Sequence, residues 1–402
     1  VCSSDLQLSY LLFFHSLSYI HWIVTAFTIL IHPVIPPIGL DRGWLGVYSM
    51  YFQYASTILS LSSVYFYNDT DYIFQLLDLS QWRILGADIN FISTVEQRRA
   101  RMAVDLGKMS RGYARPLASV SEITSRDYVP DAVDVLILGE VFPLCLVYII
   151  AALASLAPHD GIRRYFSGVR IGTGVCWGVG IVSRTISSWM YWVNSDIGGA
   201  KELTSVIIGS IVVGIMAFDC AILKVQTMKL TTFSFYTLPD YKGALYFDIL
   251  GYSNHRIYKD FYPFFLGEYE VILICTALFV GFTFEEITQT TILACGSILC
   301  IVSIVLLNQS SIIKWMKVGF HGLVLCFVTI AYVCQFSRQT SIENAKTLAL
   351  IVLIIGLMML AYNLVMLFYR VYALVFDPKS KIVYHKYNMP PLVVPPPKGS
   401  KT

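Results

Sequence analysis

Two glutamates, Glu268 and Glu270, lie in a run so apolar that lipid would tolerate neither. An ionisable group in such a place either pairs with another charge or lines a polar path. A glutamate facing a water-filled cavity attracts cations, and a pair of them can select for cations. The plain alternative is a carboxylic acid kept neutral by burial and hydrogen-bonded to a backbone or hydroxyl group. No basic residue occurs between Lys259 and Lys314, so the sequence offers these two acids no evident partner. On a helix they point about 200° apart, so at most one is expected to face a path. Glu285 and Glu286 follow just beyond the run, where they read as interfacial charges or as negative potential at a mouth.

Four more charges lie in apolar runs. Glu140 sits eight residues into one run, and Arg184 sits nine residues before the end of the next, on the same side. Arg170 lies five residues into its run, and Asp219 lies four residues before the end of the run that follows. At about 1.5 Å per residue, each pair shares a depth and is expected to meet. Such pairs either hold spans together or belong to a path, and buried ion pairs serve packing or specificity more often than transport.

Just before Glu268 comes a segment dense in aromatics, including Tyr241, Tyr246, Phe247, Tyr252 and Tyr258. Two readings stand. One is an amphipathic helix over about 242–258, lying on the inner leaflet with Lys242, Arg256 and Lys259 toward anionic headgroups. The other is a gate that pulls on the next span, with Tyr246 and Phe247 at its heart and Pro263 and Gly267 providing a bend.

The elements that must position these residues follow from composition. Hydrophobic residues make up 56% of the 402 residues and charged ones 14%, against about 25% charge in a soluble domain. The chain therefore reads as an all-α, polytopic membrane protein. Runs near the 20 residues a span requires occur about nine times: 8–32, 44–66, 132–156, 165–193, 204–223, 261–282, 288–307, 318–336 and 347–372. The second is weakened by Gln53 and several Ser and Thr. Lys and Arg crowd one set of short loops, including those with Lys224, Lys314 and Lys317, and also the C-terminal tail. The positive-inside rule then makes the tail cytosolic and the 67–131 loop lumenal or extracellular. Asn68 begins a glycosylation sequon in that loop.

The chain divides into a start over 1–6 that resembles a translated sequencing adapter, two spans over 7–66, the 67–131 loop, a seven-helix core over 132–375 and a proline-rich tail over 376–402. The core includes the aromatic segment as a cytosolic loop over 224–260. An N-terminal portion is expected to precede the sequence given.

Much chemistry is missing. The seven histidines show no HxxxH or HExxH spacing, and there is no CxxC, P-loop, GxSxG or dinucleotide fingerprint. No enzymatic activity, cofactor or metal site is expected. The net charge of +3 gives no basis for nucleic-acid binding. The expected partners are membrane lipids and, in a homo-oligomer, further copies of the chain. The glycine-rich stretch 172–180, GTGVCWGVG, lies inside a span, where small residues let helices approach closely.

The order of these features resembles the membrane portion of the fungal TRP-like proteins, the flavin-carrier and polycystin-like group. YFQYASTILSLSS (51–63) is similar to that family's phenylalanine/glutamine and serine-rich segment, and DLSQWRILGADI (78–89) to the Trp-containing stretch after it. Tyr241, Gly243, Leu245, Tyr246 and Phe247 resemble its tyrosine-rich connection before the sixth span, and VYALVFDPKSK (371–381) resembles its exit into a cytosolic tail. The chain departs from the family in carrying Glu268 and Glu270 where a lysine is usual. The resemblance implies a nine-span ion channel or transporter of the plasma membrane, endoplasmic reticulum or secretory pathway, with cations such as calcium or a flavin-type molecule as cargo. The alternatives are a non-conducting, seven-span chemosensory or signalling receptor, against which the absence of an Asp/Glu-Arg-Tyr signature weighs, and a lipid-handling protein.

Overall fold

A computed structural model describes residues 158–194, 200–228, 265–282, 286–307 and 311–334 continuously, with single positions and short runs within 20–33, 46–54, 149–154, 246–250 and 351–376. The regular structure among the described residues is entirely helical, with no strand. Five helices are complete: α1 (Asp160–Asn194), α2 (Ala200–Met228), α3 (Glu268–Gly281), α4 (Glu286–Leu307) and α5 (Ser311–Cys334). α3 packs on α1 and on α4, α1 packs also on α2, and α4 packs also on α5.

Two helices, α2 over Val206–Val225 and α4 over Ile287–Leu307, are long and apolar enough to cross a membrane. The 22 residues of α4 rise about 33 Å, close to the thickness of a hydrocarbon layer. On α2, Ile207, Ile211, Ile215, Phe218, Ile222 and Val225 are exposed at helical spacing, while Val206, Val212, Met216 and Leu223 are buried. A helix apolar on both its packed and its open face belongs in apolar surroundings.

Several expectations change. The run expected over 318–336 lies in a helix that starts at Ser311, so Lys314 and Lys317 belong to α5 and not to a loop. In the run expected over 261–282, Phe265, Leu266 and Gly267 are not helical and α3 begins at Glu268, while 261–264 lie outside the described residues. Gly267 is the N-cap of α3 in extended backbone, φ −70° and ψ 161°, and not a bend inside a span. Three residues of the aromatic segment are described, and all three face protein. Tyr246, Ile249 and Leu250 are fully buried in the main core, with Tyr51, Tyr54, Tyr269 and Phe279. Glu140, Phe247, Pro263 and Asn68 lie outside the described residues, as do the 67–131 loop and most of the tail.

The glycine-rich middle of α1 holds α3 close. The Tyr269 hydroxyl donates to the Gly174 carbonyl at 2.9 Å. A Cβ on Gly178 would collide with that hydroxyl and with the Met216 methyl. The Met216 methyl can turn aside, but the Tyr269 hydroxyl is the tip of a rigid, buried ring, so the ring itself must shift and its hydrogen bond to Gly174 is lost. Gly178→Ala is therefore expected to destabilise the protein by about 1–2 kcal/mol, read as a fall in unfolding midpoint in detergent. The Gln53 carboxamide grips the same helix. Its Nε2 donates to the Cys176 carbonyl, and its Oε1 accepts from the Gly180 N–H at 2.9 Å. Those two groups are partners in one i→i−4 rung of an α-helix. The polar residue that weakened the second span as a sequence is thus a clamp between helices.

Candidate functional site

α3 begins with Glu268, and the first turn of a helix favours negative charge. Leu266 and Gly267 lead into it, with the Leu266 carbonyl accepting from the Ser303 hydroxyl of α4 at 2.7 Å. The Glu268 side chain is turned inward and is 1% exposed. On α5, Lys317 and His321 are four residues apart, so they share one helix face. Both point at the same carboxylate, and Lys317 is 1% exposed and His321 0%.

Lys317 Nζ donates to Glu268 Oε2 at 2.6 Å and to the Leu250 carbonyl at 2.8 Å. His321 Nε2 lies 3.1 Å from Glu268 Oε1. The Tyr51 hydroxyl donates to the same oxygen. The Tyr51 ring stacks on Phe320, with centroids 4.3 Å apart, and meets the His321 ring edge-on at 5.7 Å. One buried carboxylate therefore joins the helical segment around residue 51, the 246–250 segment, α3 and α5. An ion pair this deep holds only when hydrogen bonds satisfy its remaining lone pairs. Here Tyr51, His321 and the Leu250 carbonyl complete the set.

Glu270 has a separate surrounding. Its Oε2 accepts from Lys224 Nζ of α2 at 2.6 Å and from the Gly267 N–H at 2.9 Å. The second contact is half of a capping box, because glycine has no side chain to return it. Lys224 also donates to the Phe265 carbonyl at 3.0 Å. This pair is partly exposed, at 17% and 14% for the two side chains.

Glu268 and Glu270 are thus not the unpartnered acids expected. Their lysines come from other helices, at positions that the spacing of hydrophobic runs assigned to loops. Lys317, His321 and Tyr51 were missed as site residues. The signal available was the pair Lys317/His321, four apart, at the start of an apolar run. Arg170 and Asp219 do come together, with 3.4 Å between Nη1 and Oδ1. Arg184 belongs to α1, but its side chain is outside the described set, and its pairing with Glu140 lies there too. Tyr246, expected as part of a gate, is in the core, 0% exposed.

Among the described residues, no group of three His, Cys, Asp or Glu side chains could hold a metal ion. What the arrangement can do is hold four segments together through one charge cluster. It can also release them when that charge changes. Neither family models, nor curated proteins, nor solved structures give a match to this chain.

Proposed function

We propose that the chain is a membrane channel or transporter of about nine spans, of the kind the fungal TRP-like resemblance implies. Its cargo on this reading is a cation such as calcium or a flavin-type small molecule, moved across the plasma membrane or a membrane of the secretory pathway. The tail faces the cytosol. The reading is supported by the composition, by two helices able to cross a membrane and above all by the Glu268 network. That network ties the segment before α3, through the Leu250 carbonyl, to two helices of the bundle. A segment fastened to the bundle by a charge cluster is placed to act as a gate.

The same geometry changes the role given to the acids. A carboxylate neutralised by a lysine at 2.6 Å offers little free charge to a passing cation, so Glu268 serves as a latch and not as a selectivity group. The test is efflux of calcium and of flavin adenine dinucleotide from proteoliposomes containing the purified chain, with Glu268→Gln and Glu270→Gln beside it. Protein-dependent efflux altered by Glu268→Gln is expected. Efflux no greater than from protein-free vesicles would sink the transport reading, and efflux identical in both variants would sink the role of the acids.

A further inference from the structure

α1 is 35 residues long, a rise of about 52 Å, well beyond the ~30 Å of a hydrocarbon layer. Its midpoint falls in the glycine-rich stretch, where Gly172, Gly174, Gly178 and Gly180 stand close together. Only proline is a poorer helix former than glycine. The rung between the Gly180 N–H and the Cys176 carbonyl thus lies halfway along the longest of the five complete helices, in its stretch of weak helix preference. In apolar surroundings such a rung does not open freely. Each N–H or C=O it bares is costly, because no water replaces the lost bond.

At this rung the Gln53 side chain, itself 0% exposed, already holds both groups. Its Oε1 accepts from the Gly180 N–H at 2.9 Å, and its Nε2 donates to the Cys176 carbonyl. A carboxamide offers a donor and an acceptor at one site, so the rung can lengthen without baring either backbone group. Side chains that enter the i→i−4 ladder in this way bend helices. Gln53 shares a helical segment with Tyr51. Residues two apart on a helix point about 200° apart, and Tyr51 accordingly reaches the other way. Its hydroxyl donates to Glu268, and its ring stacks on Phe320 of α5. The segment is wedged between the midpoint of α1 and the Glu268 network.

We propose that α1 hinges at the Cys176–Gly180 rung, with Gln53 carrying the opened rung and Tyr51 tying it to Glu268. The hinge goes beyond the transport reading and stands without it. When the residue-50 segment shifts, Gln53 moves with it, and the two halves of α1 turn about the rung. The segment is fastened to Glu268, and Glu268 to Lys317. The hinge is therefore stiff while that network holds and softens when it is released.

The experiment is hydrogen–deuterium exchange on the full chain in detergent micelles, read by mass spectrometry on peptides covering 174–184. Rates are taken relative to peptides covering 290–305 of α4, so that a general loosening of the bundle divides out. Gln53→Met keeps the length of the side chain and offers neither donor nor acceptor. If Gln53 carries the opened rung, opening in this variant bares both backbone groups. Relative exchange in 174–184 should then slow about tenfold, the effect of roughly 1.4 kcal/mol on the opening equilibrium. A side chain that only clamps α1 gives the opposite sign, and relative exchange that is faster or unchanged overturns the hinge. Tyr51→Phe keeps the stacked ring and removes the tie to Glu268. It should speed relative exchange in 174–184 about fivefold, the effect of one hydrogen bond, and have no effect on top of Gln53→Met. The same speeding on both backgrounds overturns the coupling to Glu268. Should Gln53→Met fail to fold, Tyr51→Phe decides alone: faster exchange confined to 174–184 supports the hinge, and unchanged exchange overturns it. No outcome turns on cargo movement, so the hinge and the transport reading fail separately.

Discussion

Lys317→Met is expected to lower the unfolding free energy by about 3–5 kcal/mol, the range for removing one member of a buried ion pair. The size follows from what is left behind. Methionine fills most of the lysine stem, so little packing is lost. Glu268, however, stays 1% exposed with its counter-charge gone, and the Leu250 carbonyl loses its donor. Equilibrium unfolding in mixed micelles measures the difference. The double variant Lys317→Met/Glu268→Gln should recover a large part of the loss, because the amide is neutral and can still hydrogen-bond Tyr51 and His321. A double variant as unstable as the single one would mean that lost packing, not the stranded charge, sets the effect.

Gly46→Ala is expected to destabilise the protein by about 2–3 kcal/mol, at the upper end of ordinary overpacking. The added methyl would collide with the Ile249 carbonyl oxygen and crowd the carbonyl carbon at 3.2 Å. Those are backbone atoms in a fully buried segment, with no rotamer by which to turn aside, so the segment itself must move. The substitution pushes 249–250 away from residue 46, and the Leu250 carbonyl away from Lys317. Gly46→Ala and Lys317→Met should therefore combine less than additively, since both loosen the same attachment. Thermal unfolding of the two singles and the double in detergent checks this. Strict additivity would separate the close approach at Gly46 from the network.

How much of this was legible in the sequence varies with the range of the interaction. The helical, apolar character is a property of composition and survives any register. Arg170 and Asp219 could be matched because both lie in adjacent runs joined by one connection, where counting residues from a shared edge fixes depth. The glycines of 172–180 announced close packing but not their partners, because Tyr269 is nearly a hundred residues away. Lys317 was hidden for a different reason. A hydrophobic run is judged by its apolar residues, so its edge was drawn after the lysine, and a charge at an edge reads as loop. In the structure α5 starts two turns earlier, and the charge is carried into the core by its ion pair with Glu268. The aromatic segment was ambiguous for a related reason. Tyrosine suits a membrane interface and a hydrogen-bonding core equally, and only tertiary contacts show that Tyr246, with Ile249 and Leu250, is in the core.

On the function proposed above, Glu268 is a latch held by Lys317 and not an acid that lines a pore. Calcium and flavin efflux from proteoliposomes carrying Glu268→Gln, Lys317→Met and the double variant tests this most directly. A latch predicts the same sign for both single changes: each raises resting efflux about tenfold, for roughly 1.4 kcal/mol lost from the closed state, and the double variant leaks no more than either single. An acid lining a cation pore predicts opposite signs, with calcium efflux falling in Glu268→Gln and rising in Lys317→Met, and that result would contradict the account.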